Sequence, residues 1–395
     1  STSSNFVRNT GIDDLNIEVA QACIISQDSE SYSTLFDVRK NTILRGEQLT
    51  VNGNGVAFGT QGGITLTLDS ANLIVSAIMP FKGSNLSSDS LSIINSRVEV
   101  HASGSAAVFN FEGGISLTDC YIQTPAGGEV VDAAIEDGNG NHVRDMVIVP
   151  LLMLYDDSDN TAVLGTYVAS GKTTHVQLVN RTFYKDNSWS TLCLPFDVTD
   201  LNGTPLDGAT IMELNTAERN GFDSNTGMLY LSFKTVTEIE AGKPYIIKWD
   251  NGEHIENPLF ENVVITSSEP IAVESDSYGL NTIYMIGSYA HTNVTGGDQS
   301  VMFMDTEKVI YYPIEDTALN SFYAYFEIPS LQDAEETAVK DYTIDFDGGV
   351  VGIKDVNIDN ELYSKGWYTI TGVKLSQMPV ERGIYIYNGR KVIIR

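Results

Sequence analysis

The chain has 395 residues, 52 of them acidic and 23 basic, for a formal net charge of −29. Charged residues are only 19 % and hydrophobic residues 42 %, so the acidity reflects scarce bases rather than acidic tracts, and there is apolar material for real cores. This balance argues against nucleic acid as a partner, which requires clustered Lys and Arg, and no stretch approaches the ~18 apolar residues of a membrane span.

The charge is unevenly placed. Residues 1–125 carry a net −6, residues 126–344 a net −24, and residues 345–395 a net +1. The composition predicts a domain at 1–142, a second at 143–344 and a small segment at 345–395. Cys23, Cys120 and Cys193 are too few and too far apart for a disulfide framework or a zinc pattern. The chain begins at Ser1, which reads as a mature or trimmed form whose targeting segment has been removed.

The first segment is repetitive. Apolar pairs five residues apart recur as Val19/Ile24, Leu44/Leu49, Leu68/Leu73, Ile93/Val98 and Leu117/Ile122, at intervals of 25, 24, 25 and 24 residues. Apolar residues alternate within each unit, as in Ile64-Leu66-Leu68, which is strand periodicity with one buried face. The residues between the paired positions, such as Asp69-Ser70-Ala71-Asn72, are polar or small and predict a bend. A further strand follows in each period and carries Phe36, Phe58, Phe81 or Phe109. A unit of this length without a helix cannot bury its apolar face alone, but stacked copies can. The prediction is a short right-handed parallel β-helix of about five coils, with aliphatic ladders and a phenylalanine ladder inside. Leucine-rich repeats share the period but need a denser Leu pattern and usually a helix. Cys23 and Cys120 fall at the bends of the first and fifth coils, roughly 19 Å apart at the strand spacing, too far for a disulfide.

Asp137-Gly138-Asn139-Gly140-Asn141 ends this segment and resembles a calcium loop only superficially. His142 occupies the place where that loop needs Gly, and Ile148 the place where it needs Glu. A hairpin turn is expected there.

Residues 145–342 read as many short strands, among them MVIVPLLMLY, THVQLV, GMLYLSF and TIYMIGSY, divided by turn signals such as Asp207-Gly208 and Asn251-Gly252. No amphipathic helix stands out, so the expectation is a β-sandwich, making the whole chain all-β. The run Asp156-Asp157-Ser158-Asp159 bunches carboxylates that could attract calcium, or could be a solvated turn. Cys193, between Leu192 and Leu194, reads as a buried, inert thiol rather than a nucleophile.

The stretch NRTFYKDNSWSTLCLPFDV, with AGKPYIIKW, SFYAYFEIP and the tail GWYTITGVKLSQMPVERGIYIYNGRKVIIR, resembles a module common in secreted and surface proteins of gut anaerobic bacteria. It covers roughly residues 145–395. The resemblance implies export to the cell envelope and a β-rich accessory role, not a reaction. The front repeats are similar to short β-helices of bacterial surface proteins, some of them carbohydrate-binding. In the tail, Asn388-Gly389 between apolar strands is a two-residue hairpin signal. That tail resembles C-terminal sorting domains, though it is short for one, and a plain closing hairpin is the alternative.

No paired carboxylates with a basic residue in register, no Gly-x-Ser-x-Gly elbow, no H-E-x-x-H helix and no phosphate loop stand in the sequence. The expectation is a non-catalytic surface protein, glycan-binding or adhesin-like, whose β-helix displays outward Thr65, Thr67, Ser92, Asn95 and Ser116 to a glycan or surface protein. The alternatives are a polysaccharide lyase or hydrolase working in a β-helix groove, and a structural spacer. No cofactor is expected beyond possible calcium at Asp156, Asp157 and Asp159.

Overall fold

The computed structural model describes residues 6–9, 11, 13–27, 33–84, 88–104, 109–275, 279–304, 310–332, 339–346, 349–350, 367–369, 374–375, 379, 383–387 and 390–394. Of the described residues 53 % are in strands and 4 % in helix, and the N-terminal part is a β-solenoid of about six turns.

Strands of successive turns stack into three walls. The first wall stacks β2 (Leu15–Val19), the front half of β5 (Thr42–Asn52), the front half of β7 (Thr65–Ala77), β9 (Ser90–Ile94) and β11 (Ile115–Thr118), all parallel. The second wall stacks β3 (Cys23–Ser26), the back halves of β5 and β7, and β10 (Arg97–Ala102). The third stacks β1 (Val7–Asn9), β4 (Phe36–Val38), β6 (Val56–Thr60) and β8 (Met79–Lys82).

The aliphatic ladders form as the alternation requires. Leu44 pairs with Leu68, Leu68 with Ile93 and Ile93 with Leu117, while Leu49 pairs with Leu73 and Leu73 with Val98. All except Leu117 are buried. Each fully buried aliphatic side chain stabilises the stack by about 1.5–3 kcal/mol. On the third wall Phe36, Phe58 and Phe81 stack at 4.5 and 5.1 Å with planes within 13° and 11°. Phe109 follows at 4.9 Å, tilted by 49°. These rings are core, as expected from their apolar neighbours.

Three expectations about the solenoid need correction. There are about six turns rather than five, because β1 adds a rung below β4 and Phe6 lies edge-on to Phe36 at 5.8 Å. In the first coil the stacked pair is Ile17 and Cys23, opposite Leu44 and Leu49, not Val19 and Ile24. Its corner is one residue longer, which turns Ile24 outward to 71 % exposure. At the far end Ile122 does not lie on Val98. After the short hairpin of β13 (Glu129–Val131) and β14 (Ala134–Glu136), the strand β15 (Asp145–Tyr155) inserts between β10 and β12 (Cys120–Thr124), antiparallel to both, so Val98 and Ile122 each face Ile148.

The corner between the first two walls is built by one backbone device. Gly46, Ser70, Asn95 and Asp119 all have left-handed φ, at 106°, 52°, 42° and 51°. Short polar side chains that bond locally tolerate that region better than most. At Gly46 a Cβ would run into the Val19 carbonyl, so glycine is required by contact as well as by φ.

Strand β15 joins the two parts of the chain. Met146 and Ile148 belong to the solenoid core, whereas Leu152 and Leu154 belong to a second core. Beyond the corner its back half pairs in parallel with β16 (Thr173–Val179), which pairs with the strand Leu259–Val264. Between β15 and β16 lies a helix that the sequence pattern does not announce, α1 (Thr161–Ser170). Only Leu164 of it is buried, so no apolar stripe marks it. Gly171, at φ 60°, closes it by donating its N–H to Tyr167.

The rest of the middle region is all-β. A seven-stranded sheet and a five-stranded sheet share a third core, in which Leu229, Leu231, Phe233 and Ile246 meet Ile283, Met285, Met302 and Phe326. At the C-terminus Gly383–Tyr387 and Arg390–Ile394 pair antiparallel with Tyr387 opposite Arg390, the register of the expected two-residue hairpin. Most of the sorting-like segment 345–395 lies outside the described residues.

Candidate functional site: the solenoid flank and the corner cleft

The first wall turns a flat polar flank outward. Thr67, Ser92 and Ser116 form one row across neighbouring strands. Thr65 lies opposite Ser90, their hydroxyls 2.9 Å apart, and its N–H donates to Asn41 Oδ1 at 3.0 Å. Beside these rows Arg45 reaches Asp69 at 2.6 Å. Four of the five expected ligand residues therefore share this flank. Asn95 does not, because its left-handed backbone places it at the corner.

That corner opens into a cleft of about 480 Å³ between the solenoid and the helix. One side is made of the bends, through Ser70, Ala71, Asn72, Asn95 and Arg97. The other is made of α1 and the start of β16, through Thr166, Tyr167, Ser170, Lys172 and His175. The cleft exists because β15 runs from the solenoid wall into the second sheet and carries α1 against the bends. His175 is 3 % exposed, and burial is the main cause that pulls its pKa below the usual range, leaving the imidazole neutral at pH 7. Burial likewise pushes the Tyr167 phenol up. His175 Nδ1 and Asn72 Oδ1 are buried and have no hydrogen-bond partner among the described residues.

The second wall brings together charges that are distant in sequence. His101 Nδ1 lies 2.9 Å from Asp145 and its Nε2 3.1 Å from Glu99, which also holds Arg97 at 3.2 Å. Asp145 arrives on the inserted strand β15, so sequence pattern alone could not place it beside His101. The two carboxylates raise the His101 pKa, Asp145 foremost.

The acidic run after β15 is used locally. Asp159 accepts hydrogen bonds from the Thr161 N–H and hydroxyl at 2.9 and 2.7 Å, at the start of α1. Asp157 takes the Ser158 hydroxyl at 3.2 Å, and Asp156 is buried and takes Asn320 Nδ2 at 3.3 Å. The three carboxylates face different partners, and among the described residues no group of three or more His, Cys, Asp or Glu side chains could hold a metal ion. Asp137, in the loop that superficially resembles a calcium site, instead accepts from the N–H groups of Asn139 and Asn141 and closes the expected turn.

The cysteines are free. Cys193 is buried, its Sγ 3.2 Å from the Gly242 carbonyl and packed on Gly287, where an added Cβ would fall on the sulfur. Burial pushes its thiol up to about 12. Cys120 sits under the corner against Ser96 and is pushed up to about 11, mainly by burial.

Two buried residues escaped the sequence reading. Asp89 is fully buried and accepts from the N–H groups of Gly63, Ile64 and Ser84 and from the Thr60 hydroxyl, at 2.7–3.0 Å, tying adjacent coils together. Arg181 is 1 % exposed, lies 3.3 Å over the Tyr323 ring and donates to the Thr191 carbonyl at 2.7 Å. Its position in the conspicuous NRTF stretch was the available signal.

Fold and site together define a β-solenoid protein with a polar flank and a corner cleft, continuous through one strand with an all-β region. Comparison with family models, with curated proteins and with solved structures returned no match.

Proposed function

We propose that this chain is a non-catalytic, exported surface protein of a bacterium, and that its solenoid binds a glycan. The observation that carries the reading is the register of short polar side chains. Thr65 with Ser90, and Thr67 with Ser92 and Ser116, repeat at the strand spacing over a flat wall, backed by a rigid core. A chain of sugar hydroxyls meets donors and acceptors at regular intervals along such a surface. Export and bacterial origin rest on the resemblance of residues 145–395 to modules of gut-anaerobe surface proteins. The test is a glycan array run beside a panel of purified surface proteins. Glycan binding that weakens in Thr67→Arg supports the reading; binding to a surface protein alone makes the chain an adhesin for protein instead.

Polysaccharide cleavage is the second reading, favoured by the Glu99–His101–Asp145 contacts with Arg97 alongside. Product release from polyuronates that stops in Glu99→Gln would establish it.

A further inference from the structure

The corner cleft has a feature that the flank lacks. Two buried polar atoms of residues lining it, Asn72 Oδ1 and His175 Nδ1, have no partner among the described residues. Leaving such an atom unmet costs about 1–3 kcal/mol, and folded proteins keep few of them. The first atom only accepts. The second belongs to a neutral imidazole, whose nitrogen donates or accepts according to tautomer. An unprotonated anion such as sulfate or a carboxylate offers nothing to the amide oxygen. A cation meets Arg97 and Lys172, which line the same cleft. A hydroxyl group donates to the one and serves the other in either tautomer. Around them Ser70, Asn95, Thr166 and Ser170 supply more short polar groups. The volume of about 480 Å³ lies within the span of small-ligand clefts, about 300–1,000 Å³.

We propose that the cleft between the solenoid bends and α1 seats a neutral, polyhydroxylated ligand, the end or a short run of a neutral oligosaccharide, with Asn72 and His175 at its floor. This rests on the glycan-binding reading and moves the specific contacts from the flank to the corner. The flank then carries the continuing chain, since Asn95 at the corner directly follows Ile94, the last residue of the flank strand β9.

The experiment uses the full chain and a panel of neutral trisaccharides (gluco-, manno-, xylo- and N-acetylglucosamine-based), with inorganic phosphate and a trigalacturonate as charged controls. The readout is the imidazole NMR spectrum of the five histidines, with His175 assigned through His175→Gln, together with calorimetric affinity. Expected is that at least one neutral trisaccharide shifts the His175 signal, and that Thr166→Trp weakens its binding tenfold or more. Thr166 is an exposed helix position, so this variant blocks the cleft without entering a core. Binding kept in Thr166→Trp and lost in Thr67→Arg overturns the cleft while leaving the glycan reading in place. A His175 response to phosphate or trigalacturonate alone overturns the neutral class. No sugar binding at all overturns both.

Discussion

The phenylalanine ladder gives the sharpest test of how this fold is held. Phe58 is 1 % exposed and stacks on Phe36 at 4.5 Å and on Phe81 at 5.1 Å. Phe58→Ala removes a buried ring from the middle of the stack, a change that costs about 3–5 kcal/mol through lost transfer energy and the cavity left behind. Part of that loss is the ring–ring contact on each side, about 0.5–1.5 kcal/mol apiece. Phe6 is the control, being 61 % exposed with one edge-on contact to Phe36. Phe6→Ala should cost no more than about 1.5 kcal/mol, the upper end for one aromatic contact. Solenoid stability is a sum of repeat terms and nearest-neighbour interfaces. The loss should therefore appear as faster amide exchange in β4, β6 and β8, and much less in the middle region. Urea unfolding with residue-resolved hydrogen exchange measures both. Equal costs for the two variants, or an exchange change spread evenly over the chain, would refute the stacked-rung account.

Thiol counting with an alkylating reagent at pH 8 should modify Cys23, which is exposed, and spare Cys120 and Cys193, whose thiols burial pushes up to about 11 and 12; denaturant should release all three. Asp89→Ala should cost at least about 2 kcal/mol by thermal or urea melting, since it strips an acceptor from four donors at once, those of Thr60 and Ile64 buried. Asp159→Ala should speed amide exchange at Thr161, since it removes the carboxylate that accepts from the Thr161 N–H and hydroxyl where α1 begins; unchanged exchange there would contradict the contact. The His101 imidazole should titrate above the usual 6.5, because Asp145 and Glu99 favour its charged form. Its contribution to stability is then fully present below the unfolded pKa and is lost as pH rises through the folded one. The side chain is 47 % exposed, so the effect should be small and reduced by salt; Asp145→Asn should lower the NMR midpoint, and an unchanged midpoint would contradict the contact.

The repeat was legible because its signals are local. Alternation over Thr65–Ala77 tells which side chains face in, and the recurrence at 24 or 25 residues tells which ones meet, so the ladder from Leu44 to Leu117 follows from spacing. The phenylalanines, 22, 23 and 28 residues apart, follow instead from standing on the strand after each apolar pair. Errors arose where a corner changed length. One extra residue put Ile24 outside and Cys23 on the stack, and in a strand a shift of one residue exchanges the faces. Helix α1 left little trace, since one buried leucine among threonines, valines and a glycine makes no apolar stripe.

What only the tertiary structure decided is which strand lies beside which. The apolar pattern of Asp145–Tyr155 says that it is buried, but backbone hydrogen bonding is the same for any partner, so the pattern cannot say that it enters the solenoid wall between β10 and β12. That one pairing brings Asp145 to His101, separates Ile122 from Val98, and swings α1 and His175 against the bends. Sequence thus determined the solenoid and its polar flank, since both depend on contacts at a fixed period. The corner cleft came from a non-periodic strand insertion, and its residues, from Ser70 to His175, share nothing in sequence that would have gathered them.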